Sequence, residues 1–215
     1  MKKYLFFDLD GTLTDSKEGI LNAVVYALSK FGIEENDRTR LMTFIGPPVY
    51  DNVMEQYGFS HDDAETAVTY FREYYDRDGM YENTVYEGIV PMLEELRANG
   101  KILILATSKP EHFACKILEH FSLNKYFDKV IGATLDGSRR KKTDVIAYAL
   151  KELDIDPDDA VMIGDRKYDV EGGHKCGIVS VGVLYGYGDR EEMVAAKADM
   201  IAEDVNELKK ILEKI

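Results

Sequence analysis

Four short apolar runs, each ending at or near small or acidic residues, set the tightest limit on how this chain can fold: 4-YLFF-7 before Asp8, 101-KILILATS-108, 160-AVMIG-164 before Asp165, and 179-VSVGVLYG-186. Runs without a polar alternation fit strands buried on both faces, as in a parallel sheet. Helical spacings lie between them. Met92, Leu93 and Leu96 precede the stop Asn99-Gly100, and Phe113, Ile117, Leu118 and Phe121 follow Pro110. Val145, Ala149, Leu150 and Leu153 follow Thr143, the expected N-cap, and Val205, Leu208, Leu212 and Ile215 close the chain. The expected fold is α/β, a Rossmann-like parallel sheet flanked by helices.

Residues 14–85 break this rhythm and read as helices only. Ile20, Val24, Ala27, Leu28 and Phe31 form one stripe before Gly32, and Val49, Val53, Met54 and Tyr57 another before Gly58. Ser60 with Asp63 has the form of a capping box ahead of Ala64, Ala67, Val68 and Phe71. The expected organisation is an α/β core domain of residues 1–13 and 86–215, interrupted by an inserted all-helical domain of residues 14–85. In the insert, 44-FIGPP-48 reads as a rigid turn. Tyr70, Tyr74, Tyr75, Tyr81 and Tyr86 read mostly as packing residues.

With 45% apolar residues the chain can build a core, and its net charge of −13 argues against a nucleic-acid polymer as partner. No apolar run approaches the roughly 20 residues of a membrane span. The run after Lys2 and Lys3 stops too early for a signal peptide, so a cytoplasmic location is expected. Cys115 and Cys176 lack metal or redox spacing and read as reduced thiols. His61, His112, His120 and His174 are scattered, as surface or boundary residues are. Nothing in these residues favours a monomer over a homodimer.

Ligands of an open parallel sheet collect at the carboxyl ends of its strands. Asp8, Asp10 and Asp165 fall at such ends, and three converging carboxylates repel unless a cation lies between them, for which a hard ion such as Mg²⁺ is suited. Period-two alternation keeps Asp8 and Asp10 on the same side of an extended first strand. Gly11 lets the backbone turn close to an anion. Lys109, the run Arg139 to Lys142, Arg166 and Lys167 map to loops at the same edge, a basic field that would favour an anionic substrate despite the global charge.

Four segments in order, 8-DLDGTL-13, the strand end 104-ILAT-107, Lys142 before a helix, and 164-GDRKYD-169, resemble the motifs of the haloacid dehalogenase superfamily. The helical insert resembles the cap of its phosphoglycolate phosphatase-like members, which include β-phosphoglucomutases and 5′-nucleotidases. The stretch 136-DGSRRKKTDVI-146 with 184-LYGYG-188 resembles nucleotidase-like members.

The resemblance implies a phosphatase acting on a small phosphorylated metabolite through an aspartyl phosphate. Asp8 would be the nucleophile and Asp10 the acid and base. Gly11, Thr107, Ser108 and Lys142 would bind the phosphoryl group. Asp8, Asp165, Asp169 and Asp10, the last through its backbone carbonyl, would hold Mg²⁺. The third motif reads Lys141-Lys142-Thr143-Asp144 without the family's prolines, which leaves Lys141 as an alternative to Lys142. Asp169 could equally cap its helix. The same motifs would serve a 5′-nucleotidase or a sugar-phosphate mutase. Asp10 argues against dehalogenation, since halide leaves without a proton.

Overall fold

The computed structural model describes residues 2–215. In chain order the elements are β1 (Tyr4–Phe7), β2 (Thr14–Asp15), α1 (Lys17–Ser29), α2 (Arg38–Met42), α3 (Val49–Tyr57), α4 (His61–Tyr74), β3 (Thr84–Val85), α5 (Ile89–Ala98), β4 (Ile102–Pro110) and α6 (Glu111–His120). Then follow β5 (Lys129–Ala133), α7 (Lys142–Glu152), β6 (Ala160–Gly164), α8 (Lys167–Lys175), β7 (Val179–Val183), α9 (Arg190–Ala195), β8 (Met200–Ala202) and α10 (Val205–Lys214). The chain divides into two compact units, one formed by the residues up to Asp15 with Val85–Ile215, the other by Ser16–Thr84.

The first unit is built on a six-stranded sheet in the order β5-β4-β1-β6-β7-β8. Its neighbouring strands pair in parallel throughout. Leu5, Phe6 and Phe7 are each 0% exposed, although successive strand residues point to opposite faces, so both faces of β1 are covered. On one face Phe6, Ile104, Ala106, Ile131 and Met162 pack with Val145, Ile146 and Ala149 of α7. Each such burial contributes on the order of 1.5–3 kcal/mol.

The pairing register fixes where the motif residues leave the sheet. Phe7 lies level with Leu105 of β4 and Ile163 of β6. Asp8, Thr107 and Asp165 therefore all emerge just past one line across three adjacent strands, where the strand order reverses around β1.

The second unit packs α1 against α4 and α3 against α4. Ser60 caps α4, its Oγ accepting from the Asp63 backbone at 3.2 Å. Gly58 ends α3 in the left-handed region at φ 67°. In the turn at residues 44–48, Phe44 and Ile45 are buried, 2% and 1% exposed. Among the described residues no helix is long and apolar enough to cross a membrane. Cys115 and Cys176 are free thiols.

Two capping expectations change. Lys141, not Thr143, is the N-cap residue of α7. Thr143 lies in the first turn, and the Asp144 carboxylate accepts from the Lys141 backbone at 3.4 Å. Asp169 stands at the third position of α8 rather than at its cap, accepting from the Arg166 backbone at 3.1 Å.

Candidate active site

Strand β1 ends at Phe7, and the chain then turns instead of continuing extended. The amides of Thr12, Leu13 and Thr14 converge on the Leu9 carbonyl, and Gly11 N–H donates to the Thr14 carbonyl at 2.8 Å. Strand alternation therefore does not relate Asp8 to Asp10, because the turn aims each at a different lysine. Gly11 holds φ 78°, and a Cβ there would fall 2.1 Å from Asp165 Oδ2. Only glycine permits both the turn and that approach.

Asp8 Oδ1 lies 2.8 Å from Lys142 Nζ and accepts from the Leu9 backbone at 2.8 Å. The same ammonium lies 2.8 Å from Asp169 Oδ1 and donates to the Ala106 carbonyl at 3.0 Å. It is Lys142, not the exposed Lys141, that reaches Asp8. Burial works to lower the Lys142 pKa, but the charges of Asp169 and Asp8 outweigh it and raise the pKa above the ordinary lysine value. The lysine therefore stays cationic.

One carboxylate oxygen from each of Asp8, Asp165 and Asp169 lies within 4.8 Å of the others. Burial pushes Asp165 well above the ordinary carboxylate range, and the charges of Asp169 and Asp8 push it the same way. Burial likewise raises Asp169 to about 6, against the pull of Lys142. Three buried or half-buried carboxylates short of positive charge form the donor set of a hard divalent cation. The residues fit Mg²⁺.

Asp10 takes no part in that trio. Its Oδ2 pairs with Lys109 Nζ at 2.6 Å, while its Oδ1 is buried without a hydrogen-bond partner. Thr107 is 1% exposed, and its hydroxyl accepts from the Lys109 backbone at 3.2 Å. Ser108 follows it, half-buried, near the carboxyl end of β4.

The expected basic field narrows to Lys109 and Lys142. Arg139 is pinned structurally, donating to the Gly132 carbonyl at 2.8 Å and to Glu111 at 2.9 Å. It is 15% exposed along its side chain. Arg166 pairs with Glu192 at 3.0 Å, which also accepts from the Lys167 backbone.

Three features at the site went unread in the sequence: the Ala106 carbonyl facing Lys142, the Asp10–Lys109 pair, and the Tyr187 amide, which donates to Asp165 Oδ2 at 2.8 Å. The last had a signal in the glycines on either side of Tyr187, since glycine marks close backbone approach.

Residues 5–183 match the family model described as haloacid dehalogenase-like hydrolase. A 5′-nucleotidase from Pseudomonas aeruginosa is 41% identical over 97% of this chain and 95% of its own. Tyrosine-protein kinase PtkA from Mycobacterium tuberculosis is 40% identical over 86% of this chain, which spans only 62% of that relative. Phosphoglycolate phosphatases are among the more distant relatives. The crystal structure of a predicted phosphatase from Clostridium acetobutylicum, 47% identical, superposes with a TM-score of 0.96 over 100% of both chains. The chain belongs to the haloacid dehalogenase-like hydrolases, as a phosphatase of that family.

Proposed function

We infer that the chain is a Mg²⁺-dependent phosphomonoesterase of small metabolites, working through phosphorylation of Asp8, with nucleoside 5′-monophosphates as its first substrate class. The observation that carries this reading is the Asp8 carboxylate at the end of β1, 2.8 Å from a buried lysine and beside two further buried carboxylates. The fold subunit of residues 16–84 would act as the cap that selects the leaving group. The substrate class rests on the likeness to the 5′-nucleotidase, which spans nearly the whole chain.

In the chemistry that follows, a carboxylate oxygen of Asp8 attacks phosphorus, forming an O–P bond as the ester O–P bond breaks. Lys142 holds Asp8 in place and faces the charge that spreads over the phosphoryl oxygens in the transition state. Thr107 and Ser108 supply further hydroxyl donors at the same edge, and Gly11 leaves room beside Asp165 that a Cβ would fill. Asp10 protonates the leaving alkoxide and then takes a proton from the water that releases phosphate. Its pairing with Lys109 must open for this, since the ammonium occupies the carboxylate oxygen that would meet the leaving group. Asp8, Asp165 and Asp169, with the Asp10 carbonyl, would hold the Mg²⁺ ion, which when bound neutralises charge on the phosphoryl group.

Turnover of a panel tests the substrate class: nucleoside 5′-monophosphates, phosphoglycolate and glucose phosphates. The expected outcome is phosphate release with the highest kcat/KM for a nucleoside 5′-monophosphate. Preference for phosphoglycolate would overturn the nucleotidase assignment. Interconversion of glucose phosphates without phosphate release would make the protein a mutase.

A further inference from the structure

We propose that Tyr185–Gly188 is a positioning strap for Asp165, with Tyr187 as its central positioning residue, and that it sets the affinity of the acidic trio for its divalent cation. This rests on the metal reading above and adds residues outside the four motifs.

The strap runs across the back of the site and touches it at several points. Tyr187 N–H donates to Asp165 Oδ2 at 2.8 Å, while the other oxygen of that carboxylate receives the Thr12 hydroxyl at a longer 3.4 Å. The Asp165 side chain is thereby fixed in rotation. Asp165 is 0% exposed, so no water shell could take over that task. The strap is itself tied to the first motif: Tyr185 OH donates to the Thr12 carbonyl at 3.0 Å and Tyr187 OH to Asp15 Oδ1 at 2.9 Å. The Tyr185 ring also meets Tyr86 edge-on, with centroids 5.1 Å apart.

The glycines make this approach possible. A Cβ on Gly186 would sit 2.2 Å from the Gly11 carbonyl oxygen and 2.4 Å from Asp165 Cβ, and one on Gly188 would sit 2.0 Å from the Asp165 carbonyl oxygen. All of these are backbone or short-side-chain atoms that cannot swing aside. Four successive residues thus join the turn carrying Asp8 and Asp10 to the carboxylate on β6, which must meet at one ion. Partners that orient a ligand in this way typically change metal affinity 10–100-fold when removed.

The test is Mn²⁺ binding to the full chain in the absence of substrate, read as free Mn²⁺ by electron paramagnetic resonance. Wild type is compared with Gly186→Ala and with the double variant Tyr185→Phe/Tyr187→Phe, which adds no atoms and keeps the Tyr187 amide position free to form. The expected result is wild-type binding, weakened at least about 10-fold in both variants. Phosphate release by the double variant should recover at saturating Mg²⁺, with the Mg²⁺ requirement raised and kcat within about 3-fold of wild type. If Gly186→Ala does not fold, the double variant decides. A folded double variant with wild-type Mn²⁺ affinity overturns the strap alone, as does one whose kcat stays depressed at saturating Mg²⁺. A wild-type chain that binds no Mn²⁺ overturns the metal reading and the strap together.

Discussion

Lys142 concentrates the electrostatics of the site in one buried ammonium, shared among Asp8, Asp169 and the Ala106 carbonyl. Removing one partner of a buried ionic group leaves the others uncompensated, typically at a cost of about 3–5 kcal/mol. Lys142→Ala should therefore lose that much stability in chemical denaturation of the metal-free protein, and its phosphatase activity with it. Lys141→Ala, at an exposed position, should stay within about 0.5 kcal/mol of wild type. Sequence alone left these two lysines open because the prolines that would mark the motif are missing. The structure separates them by their place on α7, one side chain aimed inward and the other at the cap position. The turn after Phe7 was hidden for a related reason. Periodicity describes extended chain, whereas this segment closes on the Leu9 carbonyl.

At the scale of elements, the four strands that lead to or flank the site were legible because burial on both faces leaves them almost wholly apolar up to their carboxyl ends, with Ser180 of β7 the exception. Strands β5 and β8 were not. The first begins with Lys129, and the second has only three residues, too few for a pattern to show. The short helix α2 escaped notice likewise, with Arg38, Thr39 and Arg40 in its five residues. Caps were readable only where a short oxygen-bearing side chain performs the capping. Ser60 does so at α4, and Ser60→Ala should lower stability by about 1 kcal/mol in thermal unfolding.

Outside the site, Asp199 ties together the end of α8, β7 and the segment before β8, accepting from Ser180 N at 2.9 Å, Ser180 Oγ at 2.8 Å and His174 at 2.8 Å. Burial acts to raise its pKa, but these bonds outweigh it and hold the carboxyl below the ordinary range. A carboxylate depressed by folding stabilises above its unfolded value near 4, and that contribution is lost as pH falls through the folded value. Asp199→Ala should lower the melting temperature by about 2–4 °C at pH 7, the equivalent of about 1 kcal/mol for a half-exposed group. The gap from wild type should narrow as pH falls below about 4.

For the molecule as a whole, the sequence conveyed the α/β fold and the phosphatase family, since the strands and the motifs at their ends are both local patterns. It conveyed the local field less well. A net charge of −13 is offset at the site by two lysines, because Arg139 and Arg166 are engaged by Glu111 and Glu192. Which loop charges are already paired is a property of tertiary contacts. Phosphate release from p-nitrophenyl phosphate, measured for wild type and Asp8→Asn with Mg²⁺ and after exhaustive chelation, bears most directly on the account. Activity should fall by more than about 1,000-fold in Asp8→Asn and vanish from wild type on chelation, returning when Mg²⁺ is restored. Near-wild-type turnover by Asp8→Asn, or by the fully chelated enzyme, would contradict it.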